Sequence, residues 1–224
     1  MTLKTQLPLF VSLERAIIYR LDRWLASWRR LAFKRQVRAW QLDGIGTIPT
    51  HTKEDELAAL YQLACETPMN STAIEIGSYL GASTCHIAAG LAQRNSRLIC
   101  VDTWLNETMP EGPRDTFAEF QRNTMPVREI LVPVRKRTND LVQGDIPTGL
   151  ALAFIDGDHS YEGVRCDVDA VTPHMADRSI LVFHDSIYFI GVSKVIGELI
   201  QTGQWQLKGQ VNSLVWLTKK GFEK

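Results

Sequence analysis

No apolar run in this 224-residue sequence approaches the length of a membrane-spanning helix. Its start also lacks the basic segment and apolar core of a secretory signal. Both absences predict a cytoplasmic protein. The four cysteines, Cys65, Cys85, Cys100 and Cys166, have no metal-type spacing. They read as reduced and mostly buried thiols, not as a zinc site or a disulfide framework. No repeat and no low-complexity tract is present, which excludes solenoids and long disordered linkers. The formal net charge is zero, so the chain as a whole has no electrostatic attraction to nucleic acid.

The charge that is present is unevenly spread. Residues 1–50 hold nine Lys/Arg against three acids, a surplus of six that the remainder balances. Within this arm, Leu13, Ile17, Leu21, Trp24, Trp28 and Leu31 recur at helical spacing. Gly44, Gly46 and Pro49 then break the pattern. The sequence therefore divides into a basic amphipathic arm and linker over residues 1–50 and a main domain over 51–224. Three readings of the arm are open: packing on its own domain or on a second copy, contact of residues 11–40 with a membrane surface, or nucleic acid. A homo-oligomer accounts for it most simply. A membrane contact would suit its Trp, Leu and Ile facing a basic side. Nucleic acid is not expected, for want of any recognisable module.

Apolar residues make up 45% of the chain, enough for a full core. Past residue 50, short apolar runs alternate with helical patterns. Thr52 with Asp55 reads as a capping box opening a helix to about Cys65. Strands are predicted at Ala73–Ile76, Arg97–Val101, Ile130–Val134, Leu150–Ile155 and Ser179–Phe183. Helices are predicted at Ala82–Gln93, Asp115–Asn123, Tyr161–Val171 and Gly191–Gln201. Trp205–Lys208 and Ser213–Thr218, joined through Gly209 and Asn212, read as a closing hairpin. The predicted fold is a doubly wound, Rossmann-like α/β domain. Its sheet is mostly parallel and seven-stranded, with a C-terminal antiparallel hairpin.

The first strand–helix junction reads Glu75-Ile76-Gly77-Ser78-Tyr79-Leu80-Gly81-Ala82-Ser83. Tyr79 fills the place of the middle glycine of a dinucleotide loop, and no Gly-Lys-Ser/Thr follows. A pyrophosphate is therefore poorly served. Asp102, ending the next strand, could accept from both hydroxyls of a ribose, and Glu75 could face an ammonium group. A ligand with a ribose, a cationic end and no phosphate fits, and S-adenosylmethionine is one. Two apolar strands further on end in polar residues: Phe154-Ile155-Asp156-Gly157-Asp158-His159 and Val182-Phe183-His184-Asp185. As parallel strands they would bring two carboxylates and two imidazoles to one sheet edge. Such groups hold a metal or move a proton.

On these motifs, residues 73–185 resemble class I S-adenosylmethionine-dependent methyltransferases. The subgroup most resembled is that of the bacterial sugar O-methyltransferases and cephalosporin-hydroxylase-like proteins. The resemblance implies an enzyme that moves a methyl group to a hydroxyl of a small acceptor, such as a sugar or glycosylated metabolite. It implies cofactor contacts at Glu75, Gly77, Ser78, Gly81 and Ser83, ribose contact at Asp102 with Thr103 beside it, and adenine contacts near Trp104 and Thr138. It also implies a divalent metal at Asp156 and Asp185. His184 stands where an acid often precedes Asp185, which leaves three outcomes open: His184 joins the ligands of Mn, Zn or Fe, the site keeps Mg with fewer protein ligands, or it holds no metal. His159 matches a general base, with Asp156 beside it. The loop 103–125 reads as a lid over the acceptor. Two rivals are an NAD- or nucleotide-sugar-dependent oxidoreductase, disfavoured by the missing glycine, and a membrane-associated scaffold with a relict cofactor site.

Overall fold

A computed structural model of the chain describes residues 44–107 and 111–220, together with Trp24, Trp28, Leu31, Lys34 and Arg35 of an N-terminal helix. The other positions of the expected arm stripe, and Pro110 of the expected lid, lie outside the described residues. Trp24, Trp28 and Leu31 are exposed, and the two indoles meet edge to face at 5.6 Å. No helix among the described residues is long and apolar enough to cross a membrane.

Seven strands form one sheet: β1 Thr72–Ile76, β2 Arg97–Asp102, β3 Leu131–Arg135, β4 Leu150–Ile155, β5 Met175–Phe183, β6 Trp205–Val211 and β7 Leu214–Lys219. Their order is β3-β2-β1-β4-β5-β7-β6. The first five run parallel, while β7 pairs antiparallel with both β5 and β6. The helices are α1 Glu54–Cys65, α2 Ala82–Ala92, α3 Phe117–Asn123, α4 Tyr161–Val171 and α5 Ile190–Gln201.

Alternate residues of the central strands feed two cores. Ala73, Leu98, Cys100, Leu152, Phe154 and Val182 pack with α1, α2 and α3. Ile74, Ile76, Ile99, Val101, Ala153, Ile155 and Phe183 pack with α4 and α5. Strands covered on both faces must be apolar at every position, so these runs do not alternate with polar residues. The chain leaves β1 for one face of the sheet and leaves β4 for the other. A crevice therefore opens between their tips, where ligands bind in doubly wound sheets.

Several boundaries differ from expectation. Lys53, not Thr52, caps α1, and Glu56 supplies the returning side chain, accepting from Lys53 N–H at 2.8 Å. Gly209 lies inside β6 and is not part of the turn, because the Trp216 indole occupies the space of its missing side chain. The turn is at Asn212, whose φ is 50°. Ile45 and Ile48, expected in a linker, are buried against α1 and α2, so the folded body begins ahead of residue 51. Of the cysteines, Cys85 and Cys100 are buried and Cys65 and Cys166 are half-buried, all with free thiols.

Candidate active site

Backbone hydrogen bonds continue past the strand ends and draw four tips into one row. Gly77 N–H donates to Val101 O at 2.9 Å, Asp156 N–H to Ile76 O at 2.9 Å, and His184 N–H to Ile155 O at 3.2 Å. Asp102, Gly77, Asp156 and the His184–Asp185 pair therefore stand side by side along the crevice. Gly77 is demanded by this junction. Its φ is 87°, and a Cβ there would lie 2.2 Å from the Asp156 carbonyl oxygen. Gly81, with φ 93°, leaves room for Thr124 and Phe120. Both glycines were expected to admit a ligand; what approaches them closely here is the protein itself.

Asp102 organises the loop after β1. Its Oδ2 accepts from Ser78 N–H and Tyr79 N–H, each at 2.8 Å, and its Oδ1 accepts from Trp104 N–H at 2.7 Å. A carboxylate has about four lone-pair sites, so acceptor capacity remains on Oδ1. Glu75 is fully buried beneath the N-terminus of α2. Its Oε2 accepts from Ser78 Oγ at 2.8 Å and from Thr84 Oγ1, and Ser83 also hydrogen-bonds it. Burial pushes its carboxyl up to about 7, against the opposing effect of these hydroxyls. The other oxygen, Glu75 Oε1, is a buried acceptor without a hydrogen-bond partner.

At the tips of β4 and β5 the acids and imidazoles converge. His184, 3% exposed, sets Nδ1 3.2 Å from Asp156 Oδ1 and 3.4 Å from Asp185 Oδ1. Asp156, His184 and Asp185 can each offer one ligand atom, all within 4.8 Å of one another, as a metal site requires. Two carboxylates and one imidazole form a donor set that suits a divalent transition metal. His159 Nε2 lies 3.4 Å from Asp156 Oδ1 and 3.5 Å from Asp185 Oδ2. Its ring stacks on Phe189 at 4.5 Å. Burial lowers the His159 pKa, but the hydrogen bond and charge of Asp156, with the charge of Asp185, outweigh it and leave the value raised. Asp185 has φ 56°, in the left-handed region that Asp enters more readily than most side chains. Burial opposes its charge, yet contact with His184 holds its pKa below the usual carboxylate range.

Sequence reasoning missed Glu56, the third carboxylate of this cluster. It is 1% exposed, and its Oε2 lies 3.2 Å from His184 Nε2. Ser213 N–H and Oγ–H donate to its Oε1 at 2.8 and 2.7 Å. Burial raises the Glu56 pKa, but His184 and the other donors pull it down to about 2. Burial lowers the His184 pKa, but the facing carboxylates of Asp156, Asp185 and Glu56 outweigh it and push the value up to about 12.

Residues 74–186 match a family model described as a methyltransferase domain, which is half of the chain. The chain belongs to this methyltransferase family. No curated protein matches its sequence. Solved structures share the fold of the methyltransferase at low identity. CalS11, a TDP-rhamnose 3′-O-methyltransferase of calicheamicin biosynthesis, is 15% identical with a TM-score of 0.57, covering 86% of this chain and 93% of its own. The Podospora anserina methyltransferase PaMTH1, bound to S-adenosylhomocysteine, is 11% identical with a TM-score of 0.60, covering 83% and 87%. A Bacillus cereus O-methyltransferase, also in complex with S-adenosylhomocysteine, is 11% identical with a TM-score of 0.57, covering 84% and 90%. The protein is thus an S-adenosylmethionine-dependent methyltransferase of the class I type.

Other expected contacts of the methyltransferase lie elsewhere. Trp104 was expected beside an adenine. It is a core residue, 1% exposed, with its ring 4.8 Å from Phe117 and 4.7 Å from Phe120. Hydrophobic burial of the indole under α3 takes the ring away from the crevice. Ser78 and Ser83 are buried with their hydroxyls on Glu75, so they brace the loop. Thr103 Oγ1 accepts from Leu105 N–H at 3.2 Å. Thr138 hydrogen-bonds Asp167 of α4, whose carboxyl burial pushes up to about 7. Ser160 caps α4, accepting from Gly163 N–H at 3.0 Å, and Asp158 accepts from Ser160 N–H at 2.9 Å. In the expected lid, Tyr79 O–H donates to Glu111 at 3.0 Å, and Arg137 pairs with Glu107 at 2.8 Å.

Proposed function

We propose that this methyltransferase moves the methyl group of S-adenosylmethionine to a hydroxyl oxygen of a small acceptor, with His159 as the base. The observation that carries the reading is the convergence of His159, Asp156, His184 and Asp185 at the tips of β4 and β5, one strand from the loop after β1. The cofactor supplies the electrophilic methyl group. Asp102, with its spare lone pair, would take a ribose hydroxyl. Glu75 Oε1, the unpartnered buried acceptor, is the group in the cradle best matched to an ammonium.

The free alcohol is a weak nucleophile and needs its proton removed as the new C–O bond forms. His159 is half-buried, held flat by Phe189 and aimed by two carboxylates, so its imidazole can accept that proton in one orientation. Transfer also requires the oxygen, methyl carbon and sulfur in line, which the crevice walls would enforce. A divalent metal held by Asp156, His184 and Asp185 would supply Lewis acidity to the acceptor oxygen.

The acceptor side has an apolar rim. Ile187, Tyr188, Phe189 and Ile190, the last of them opening α5, are exposed in succession after Asp185, with Ile190 87% exposed. Four adjacent exposed apolar side chains beside a polar cluster support an acceptor with an apolar face next to its hydroxyl, such as a sugar carried on an apolar aglycone. Release of S-adenosylhomocysteine with a panel of glycosylated and simple hydroxylated acceptors tests this. We predict turnover that falls at least 100-fold in His159→Ala while S-adenosylmethionine binding is retained. Full activity of that variant would remove His159 as the base.

A further inference from the structure

We propose that Glu56 is a positioning residue that commits His184 to carrying its proton on Nε2, so that Nδ1 serves as the third metal ligand beside Asp156 and Asp185. This rests on the metal site named above. The argument begins with Glu56 itself. Four groups face its carboxylate: Lys53 N–H, Ser213 N–H, Ser213 Oγ–H and the Nε2 edge of His184. The backbone groups can only donate, so the buried carboxylate is held as an acceptor. His184 Nε2 must then carry a proton toward it. That leaves Nδ1 facing two carboxylate oxygens, at 3.2 and 3.4 Å. A proton or a metal ion must therefore lie between Nδ1 and the two carboxylates, and a metal bound there would take the place of the proton.

A metal-bound imidazole with its far N–H on a carboxylate is a recurring arrangement, in which the carboxylate fixes the ring and its tautomer. Here the parts come from distant points of the chain, 128 residues apart for Glu56 and His184 and 157 for Glu56 and Ser213. The first turn of α1 and the β6–β7 turn thus close over the back of the β5 tip. An imidazole and two carboxylates also favour Mn²⁺ over Mg²⁺, which prefers all-oxygen sites.

The test is titration of metal-stripped full-length protein with Mn²⁺ alone, read by electron paramagnetic resonance, without cofactor or acceptor. The wild type should bind one ion, and Mg²⁺ should displace it poorly. Glu56→Gln should weaken Mn²⁺ about 10–100-fold, because its amide can donate toward Nε2 and move the ring proton to Nδ1. Nitrogen-15 histidine spectra of the Zn²⁺-loaded wild type should place a proton on Nε2 of His184 and none on Nδ1. That measurement decides the matter even where Glu56→Gln fails to fold. Wild-type Mn²⁺ affinity in a folded Glu56→Gln, or a proton on Nδ1 in the Zn²⁺-loaded protein, overturns the proposal. If Asp185→Asn abolishes binding while Glu56→Gln does not, the metal site stands and only the role of Glu56 falls. If the wild type binds no ion, both fall.

Discussion

Glu75 and Glu56 are both buried acids, yet their surroundings drive them in opposite directions. Around Glu56 the His184 imidazole and three further donors outweigh burial; around Glu75 there are only hydroxyls, and burial wins. This difference gives a pH signature. The Glu75 carboxyl goes from 4.5 to about 7 on folding, so between those values the folded state binds more protons than the unfolded chain. Stability from this group is fully present below pH 4.5 and is lost as pH rises through about 7. The loss amounts to roughly 3 kcal/mol at most. Glu75→Gln keeps the shape and cannot ionise, so urea denaturation at pH 5 and pH 8 should show a smaller stability difference in the variant. An unchanged difference would mean that Glu75 does not titrate in this range. At this scale the sequence showed that Asp156 and the His184–Asp185 pair would meet, because each follows directly on an apolar strand. It was silent on Glu56. A glutamate in the first turn of an amphipathic helix reads as a solvated residue, and only long-range packing brings His184 and Ser213 to it. Trp104 misled for the converse reason: an aromatic next to Asp102 looks like a ring for a base, but it is drawn into the core by Phe117 and Phe120.

Among the elements, the junction of β1 and β4 carries the most strain on composition. Gly77 has a positive φ and no room for a Cβ against the backbone of Asp156. Gly77→Ala should therefore cost about 3 kcal/mol or more, the sum of left-handed strain and overpacking. A lowered thermal midpoint with loss of cofactor binding is the expected result, and an alanine variant as stable as the wild type would contradict the close approach. Strand and helix positions were legible because runs covered on both faces are apolar throughout and the helices keep their period. What escaped was local. Gly209 looked like a turn residue but is a strand position under an indole, and the capping partner of α1 is Glu56 and not Asp55. Both depend on which side chain reaches across, and spacing does not encode that.

Across the whole molecule, the order β3-β2-β1-β4-β5-β7-β6 gathers the three polar strand ends read in the sequence into one crevice. On the function proposed above, the loop after β1 and Asp102 would form its cofactor side, and the His159 cluster with the apolar rim its acceptor side. Alternation of strands and helices made this layout legible. It left the acceptor unread, because the rim at 187–190 is a short apolar stretch without motif character.

The account turns on Asp102, the residue that ties the two halves of the cofactor side together. Calorimetric titration of S-adenosylmethionine into the wild type and into Asp102→Ala tests it most directly. We predict one site per chain in the wild type and at least 100-fold weaker binding in the variant, which loses both the ribose acceptor and the anchor of the Ser78, Tyr79 and Trp104 N–H groups. No heat of binding in the wild type, or equal affinity in the two proteins, would contradict the placement of the cofactor in this crevice.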